Sequence, residues 1–96
     1  MKIAILLPYK ENFAPNYAGA VSLFVNDTTK ESVYKNNTFI FGNTKSEKKL
    51  SKNYINLDLN KKLFQSTSKK YVQIFLAYEK EIQADIIEVH NRPNYI

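Results

Sequence analysis

Residues 85–93, Asp-Ile-Ile-Glu-Val-His-Asn-Arg-Pro, run from an apolar stretch into a polar one that holds the only His and the only Arg of a 96-residue chain. An imidazole at position 90 can hydrogen-bond a hydroxyl, or act as acid or base near neutral pH. The simpler role for such a residue is a tie to a backbone carbonyl. The Arg92 guanidinium matches the planar geometry of phosphate or carboxylate, or serves as surface charge. Glu88 stands two residues before His90, so in an extended strand both side chains lie on one face. They then form a pair, or Glu88 remains in solvent.

A second group of residues lies near the other end of the sequence. Gly19 stands at the start of a helical pattern, where free backbone N–H groups favour an anion. Without a side chain, Gly19 allows a ligand to approach the backbone closely; the plain alternative is a turn. The loop before it carries Tyr9, Phe13 and Tyr17. These aromatics can stack on a sugar ring or pack as a lid. Neither G-x-G-x-x-G nor a Walker A pattern occurs, so dinucleotide and ATP sites lack their fingerprints.

The elements that position these residues follow from hydrophobic periodicity. Residues 3–7 are continuously apolar, which suits a strand buried on both faces. The loop at 8–18 exceeds the usual two to six residues of a strand-to-helix connection, which points to function. A helix is expected over 19–33, with Val21, Phe24, Val25 and Thr28 as its buried face and Asn26, Lys30 and Glu31 outside. Residues 38–41 form a second strand, ended by Gly42. Residues 54–59 alternate, with Ile55, Leu57 and Leu59 on one side and Asn56 and Asp58 on the other, as at a sheet edge. A second helix is expected over 68–83, capped by Ser66 or Ser68, with Tyr71, Phe75, Tyr78 and Ile82 inward and Val72 and Leu76 widening the stripe. Ile86–Val89 is the last strand.

This alternation implies an α/β fold. Right-handed crossovers give the strand order 3-2-1-4 with helices on both faces, half of a doubly wound sheet formed by residues 1–96 as one domain. Its switch point lies between strands one and four, where the loop ending at Gly19 meets the loop that starts at His90. The orientation of strand three stays open.

Composition narrows the functions available. Cysteine is absent and there is one His, so neither a disulfide nor a zinc site is expected, and no metal or cofactor is assigned. The net charge of +5 is nearly all Lys. Its densest cluster, at 45–52, has no aromatic residue for base stacking, so a solvated loop is expected there rather than a nucleic-acid site. No segment reaches the ~20 apolar residues of a membrane span. The apolar start is too short for a signal peptide. A cytoplasmic protein is expected, with a peripheral position at the inner face of the membrane allowed.

Three motifs together resemble the start of a family 4 glycosyltransferase: the strand Lys2-Ile-Ala-Ile-Leu-Leu-Pro8, the helix start Ala18-Gly19-Ala20, and the strand and loop at 85–93. The resemblance spans essentially the whole chain through these short motifs. It implies the N-terminal, Rossmann-like, acceptor-side domain of a GT-B enzyme. Such an enzyme transfers sugar, with retention and without metal, from a nucleotide-sugar donor to a glycan or lipid-linked acceptor, as in surface polysaccharide biosynthesis. By the resemblance, Gly19 and Ala20 lie near the donor phosphates, and His90, Asn91 and Arg92 line the acceptor side. The family has Gly where this chain has Ala18, which narrows the phosphate approach. The donor domain, with its paired Glu residues, is missing from the sequence, so no residue is assigned as catalytic and the chain alone is expected to be inactive.

Two other readings stand beside this one. A small α/β binding module would self-associate through the edge strand Ile86–Val89, whose Ile86, Ile87 and Val89 offer little charge to block pairing. A flavodoxin-like nucleotide-binding regulator would need acidic residues at the end of strand one, which are absent.

Overall fold

A computed structural model describes residues 1–45, 48–57 and 67–90. Four strands, β1 (Ile3–Leu6), β2 (Thr38–Gly42), β3 (Tyr54–Asn56) and β4 (Ile86–Val89), and two helices, α1 (Ala20–Glu31) and α2 (Thr67–Ile82), follow in the order β1-α1-β2-β3-α2-β4. The sheet order is β3-β2-β1-β4 and every pair is parallel, β3 included. This is the half doubly wound arrangement expected from the apolar runs. Ile3 pairs with Thr38 on one side and with Ile86 on the other, so β1 is central.

Alternation along β1 builds two cores, one on each face. Ala4 and Leu6 meet Phe41, Leu57, Tyr71 and Phe75, which places α2 on that face. Ile5 and Leu7 meet Phe13, Val25 and Ile40 beneath α1 on the other. Each fully buried Leu, Ile or Phe contributes about 1.5–3 kcal/mol by leaving water. Tyr71 also donates from its hydroxyl to the Leu7 carbonyl at 2.6 Å, which satisfies its polar end inside the core. Ile55 and Leu57 share the α2 face as their alternation implies; Asp58 and Leu59 lie outside the described residues.

Helix α1 ends at Glu31, and its buried side is Ser22, Val25, Asn26 and Thr29. Only Val25 of the expected stripe is fully buried; Phe24 is 59% exposed and Thr28 is exposed, whereas Asn26, expected outside, is buried. Phe24 and Thr28 instead face the side of the helix toward β4, where Phe24 meets the His90 ring and Thr28 shares a cleft with Glu88, while Val21 packs on the core beside Val25. Helix α2 behaves similarly: Tyr71 and Phe75 are buried, but Val72 and Leu76 remain 44% and 49% exposed. It begins at Thr67, so Ser68 lies within its first turn, while Ser66 lies outside the described residues. At its end Gln83 takes a left-handed backbone (φ 54°), its N–H bonds the Glu79 carbonyl, and Lys2 Nζ donates to the Ile82 carbonyl. Asp85 then fixes the entry to β4 by accepting from the Lys2 N–H at 2.8 Å.

Among the described residues no helix is long and apolar enough to cross a membrane, and no cluster of three or more His, Asp or Glu could hold a metal ion.

Candidate functional site

Strand β4 delivers His90 to the carboxyl edge of the sheet, and the ladder holds it there: the His90 N–H donates to the Leu6 carbonyl at 3.0 Å. Glu88, on the same strand face, reaches the ring, with Oε2 at 2.6 Å from His90 Nε2. A carboxylate only accepts, so the neutral ring carries its proton on Nε2 and leaves Nδ1 as an acceptor. No described residue bonds Nδ1. The His90 side chain is 22% exposed, and its neutral ring in this tautomer could accept a hydrogen bond at Nδ1. The Phe24 ring of α1 stands edge-on to it at 6.4 Å between centroids. Glu88 also lines a cleft of about 170 Å³ with Ile3, Ile5, Thr28 and Thr38, running along the flank of α1.

The other wall is the loop at 8–19, and it is tightly built. Thr44 Oγ1 accepts from the Phe13 N–H at 3.0 Å and donates to the Glu11 carbonyl at 3.2 Å. The Asn12 side-chain amide donates to the carbonyls of Asn16 and Tyr17, at 2.7 and 3.0 Å. Two non-glycine residues in the loop, Lys10 (φ 65°) and Tyr17 (φ 58°), hold left-handed backbones. For a bulky residue this conformation is strained and persists only where its surroundings fix it. The three loop aromatics part company. Phe13 is fully buried and stacks on Tyr54 at 5.0 Å; Tyr9 packs on Tyr71 at 5.3 Å; Tyr17 stands 95% exposed. A three-ring platform is therefore absent, and Tyr17 is the ring presented to solvent.

The start of α1 differs from the open anion site the sequence suggests. Gly19 is the N-cap, with no side chain to cap the helix, and the first turn has no acidic residue. Glu11 fills the role from the loop: its Oε2 accepts from the Ser22 N–H at 3.0 Å, with the residue only 6% exposed. A Cβ at position 19 would collide with that carboxylate. The close approach that Gly19 permits is thus made by the protein's own anion, which the helix dipole stabilises. A donor phosphate at Gly19 and Ala20 would first have to displace Glu11.

Of the residues singled out in the sequence, Ala20 shares a helix face with Phe24, four residues on, and Phe24 meets His90. The two stretches therefore meet at one edge, as the strand order implies. Asn91 and Arg92 lie outside the described residues. The sequence reading misses Glu11; the signal for it is a helix start without a capping side chain, preceded by a loop with one carboxylate.

No family model, no curated protein and no solved structure matches this chain.

Proposed function

We propose that this chain is the acceptor-side half of a sugar-transfer cleft, the N-terminal part of a retaining GT-B glycosyltransferase that moves sugar from a nucleotide-sugar donor to a glycan or lipid-linked acceptor. The observation that carries the reading is the Glu88–His90 pair at the carboxyl end of β4, beside the switch point of a parallel β3-β2-β1-β4 sheet. Ligands of open α/β sheets bind at such a place. His90 Nδ1 would accept a sugar hydroxyl, and Tyr17 would offer a ring face to the sugar. The chemistry of transfer would require a donor domain opposite, so this chain by itself would be inactive.

Titrating the isotopically labelled chain with a panel of common hexoses tests this. The expected result is saturable shifts at His90, Glu88 and Tyr17. Uridine diphosphate is expected to leave Gly19 and Ser22 unmoved, because Glu11 holds that position. No shift at His90 with any sugar, together with shifts at Ser22 on adding the nucleotide, would contradict the acceptor assignment.

A second reading is favoured by the bare edge of β4. Ile86, Ile87 and Val89 are 46%, 45% and 52% exposed, and Val72 and Leu76 lie bare on α2. Glu79, on the same side of α2, bonds the Ala84 N–H at the entry to β4, so this stripe borders the strand. In this reading the chain is a binding module that pairs with a second copy through β4.

A further inference from the structure

The opposite, amino-terminal edge of the sheet carries a second polar site. A 3-10 turn at Lys35–Asn37 leads into β2, and Asn53 immediately precedes β3. Together with α1, these segments enclose an open pocket of about 240 Å³ lined by Asn26, Lys30, Lys35, Ser51, Lys52 and Asn53, among others. Its walls are tied together. Asn53 Nδ2 donates to the Lys35 carbonyl at 2.6 Å, and the Asn53 carbonyl accepts from Ile40 N–H at 2.9 Å.

Two features set this pocket apart from an ordinary solvated surface. The first is a buried polar atom without a partner: Ser51 Oγ makes no hydrogen bond, and beside it in the lining the Asn26 side chain, on a residue 5% exposed, bonds no described residue. Buried polar groups are nearly always satisfied, and exceptions point to a missing water, ion or ligand. The second is charge. Lys30, Lys35 and Lys52 form no ion pair among the described residues, and no acidic residue is among the described residues lining the pocket. Three Lys residues among the described lining, with no carboxylate beside them, give the pocket a positive potential that favours an anion. Amide and hydroxyl groups beside them add neutral donors of the kind that complete an oxyanion's shell.

We propose that this pocket binds a small phosphorylated molecule, its oxyanion held by Lys30, Lys35 and Lys52, with Asn26 and Ser51 bonding oxygens at the pocket floor. At about 30 Å³ per water, the space holds several waters or one molecule of sugar-phosphate size. The site lies at the other end of the sheet from the Glu88–His90 pair and includes neither residue, so it stands or falls independently of the sugar-transfer reading.

The test is a titration of the isotopically labelled chain with inorganic phosphate at constant ionic strength, set against a chloride control. Saturable amide shifts at Asn26, Ser51 and Asn53, with none at His90, are expected. Lys30→Ala and Lys52→Ala, both at exposed positions, should each weaken the apparent affinity by up to about fivefold while leaving the rest of the spectrum in place. Shifts that fail to saturate, that chloride reproduces, or that survive both substitutions overturn the proposal. Co-sedimentation with phosphatidylcholine vesicles, with and without phosphatidylglycerol, separates the sources of the phosphate. Binding to the anionic vesicles that inorganic phosphate competes away assigns a lipid headgroup; phosphate binding without vesicle binding assigns a soluble ester.

Discussion

Replacing Gly19 by alanine should destabilise the chain only because of Glu11. The backbone at position 19 has φ −71°, which alanine adopts without strain. By itself the change should stabilise the fold by about 0.4–1 kcal/mol, through the smaller entropy of the unfolded chain. The new methyl would meet the Glu11 carboxylate, the movable end of a side chain, and push it away from the helix. That forfeits the buried Ser22 N–H bond to Glu11, a charged hydrogen bond of about 1.5–3 kcal/mol. The net loss is about 1–2 kcal/mol, or roughly 5–15 °C in Tm for a domain of this size. In a Glu11→Ala background there is no carboxylate to evict, so Gly19→Ala should be neutral or stabilising. A double-mutant cycle followed by urea unfolding measures both steps. Equal destabilisation by Gly19→Ala in the two backgrounds would refute the assignment of Glu11 as the cap of α1.

Three further outcomes follow from the packing. Phe13→Ala should cost about 3–5 kcal/mol, a large part of the ~5–14 kcal/mol total expected for this length, and circular dichroism should show the variant melting far below the parent; Phe13 is fully buried and stacked on Tyr54. Val25→Ala should cost about 2 kcal/mol while Phe24→Ser stays within about 0.5 kcal/mol, a contrast that urea titration resolves and that reverses if Phe24 is a core residue. Ile87→Lys should abolish any concentration-dependent association seen in sedimentation, because it places charge on the β4 edge; an unchanged association constant would remove β4 from the interface.

Much of the fold is legible in the sequence because short continuous apolar runs bounded by polar turns mark the strands of a parallel sheet. Ile86–Val89 has the bounds its pattern implies, and β1 and β2 differ from expectation by one residue. The orientation of β3 is not legible, because the 43–53 connection has no helical period; the parallel register Ile40–Tyr54, Phe41–Ile55, Gly42–Asn56 decides it. The buried side of α1 is misread for a physical reason. Phe24 and Thr28 face the side toward β4, whereas Ser22, Asn26 and Thr29 are buried, Asn26 and Thr29 beside the 35–36 and 51–53 turns. Hydrophobic periodicity marks surfaces that water should leave, and here part of that surface remains bare. The Glu88–His90 pair was within reach of strand alternation alone. Glu11 was not, since Ser22 lies eleven positions on, across a loop whose path no periodicity describes.

The bare flank of β4 and the Glu88–His90 pair are joined in the proposed account, in which further β-α units and a donor-binding domain would complete the sheet and the cleft. Sequencing the transcript that carries this reading frame puts that account at risk. It predicts that the frame continues past Ile96 through additional β-α units into a second Rossmann-like domain. A stop codon directly after Ile96, in a transcript started from its own promoter, would contradict it and favour the self-associating module.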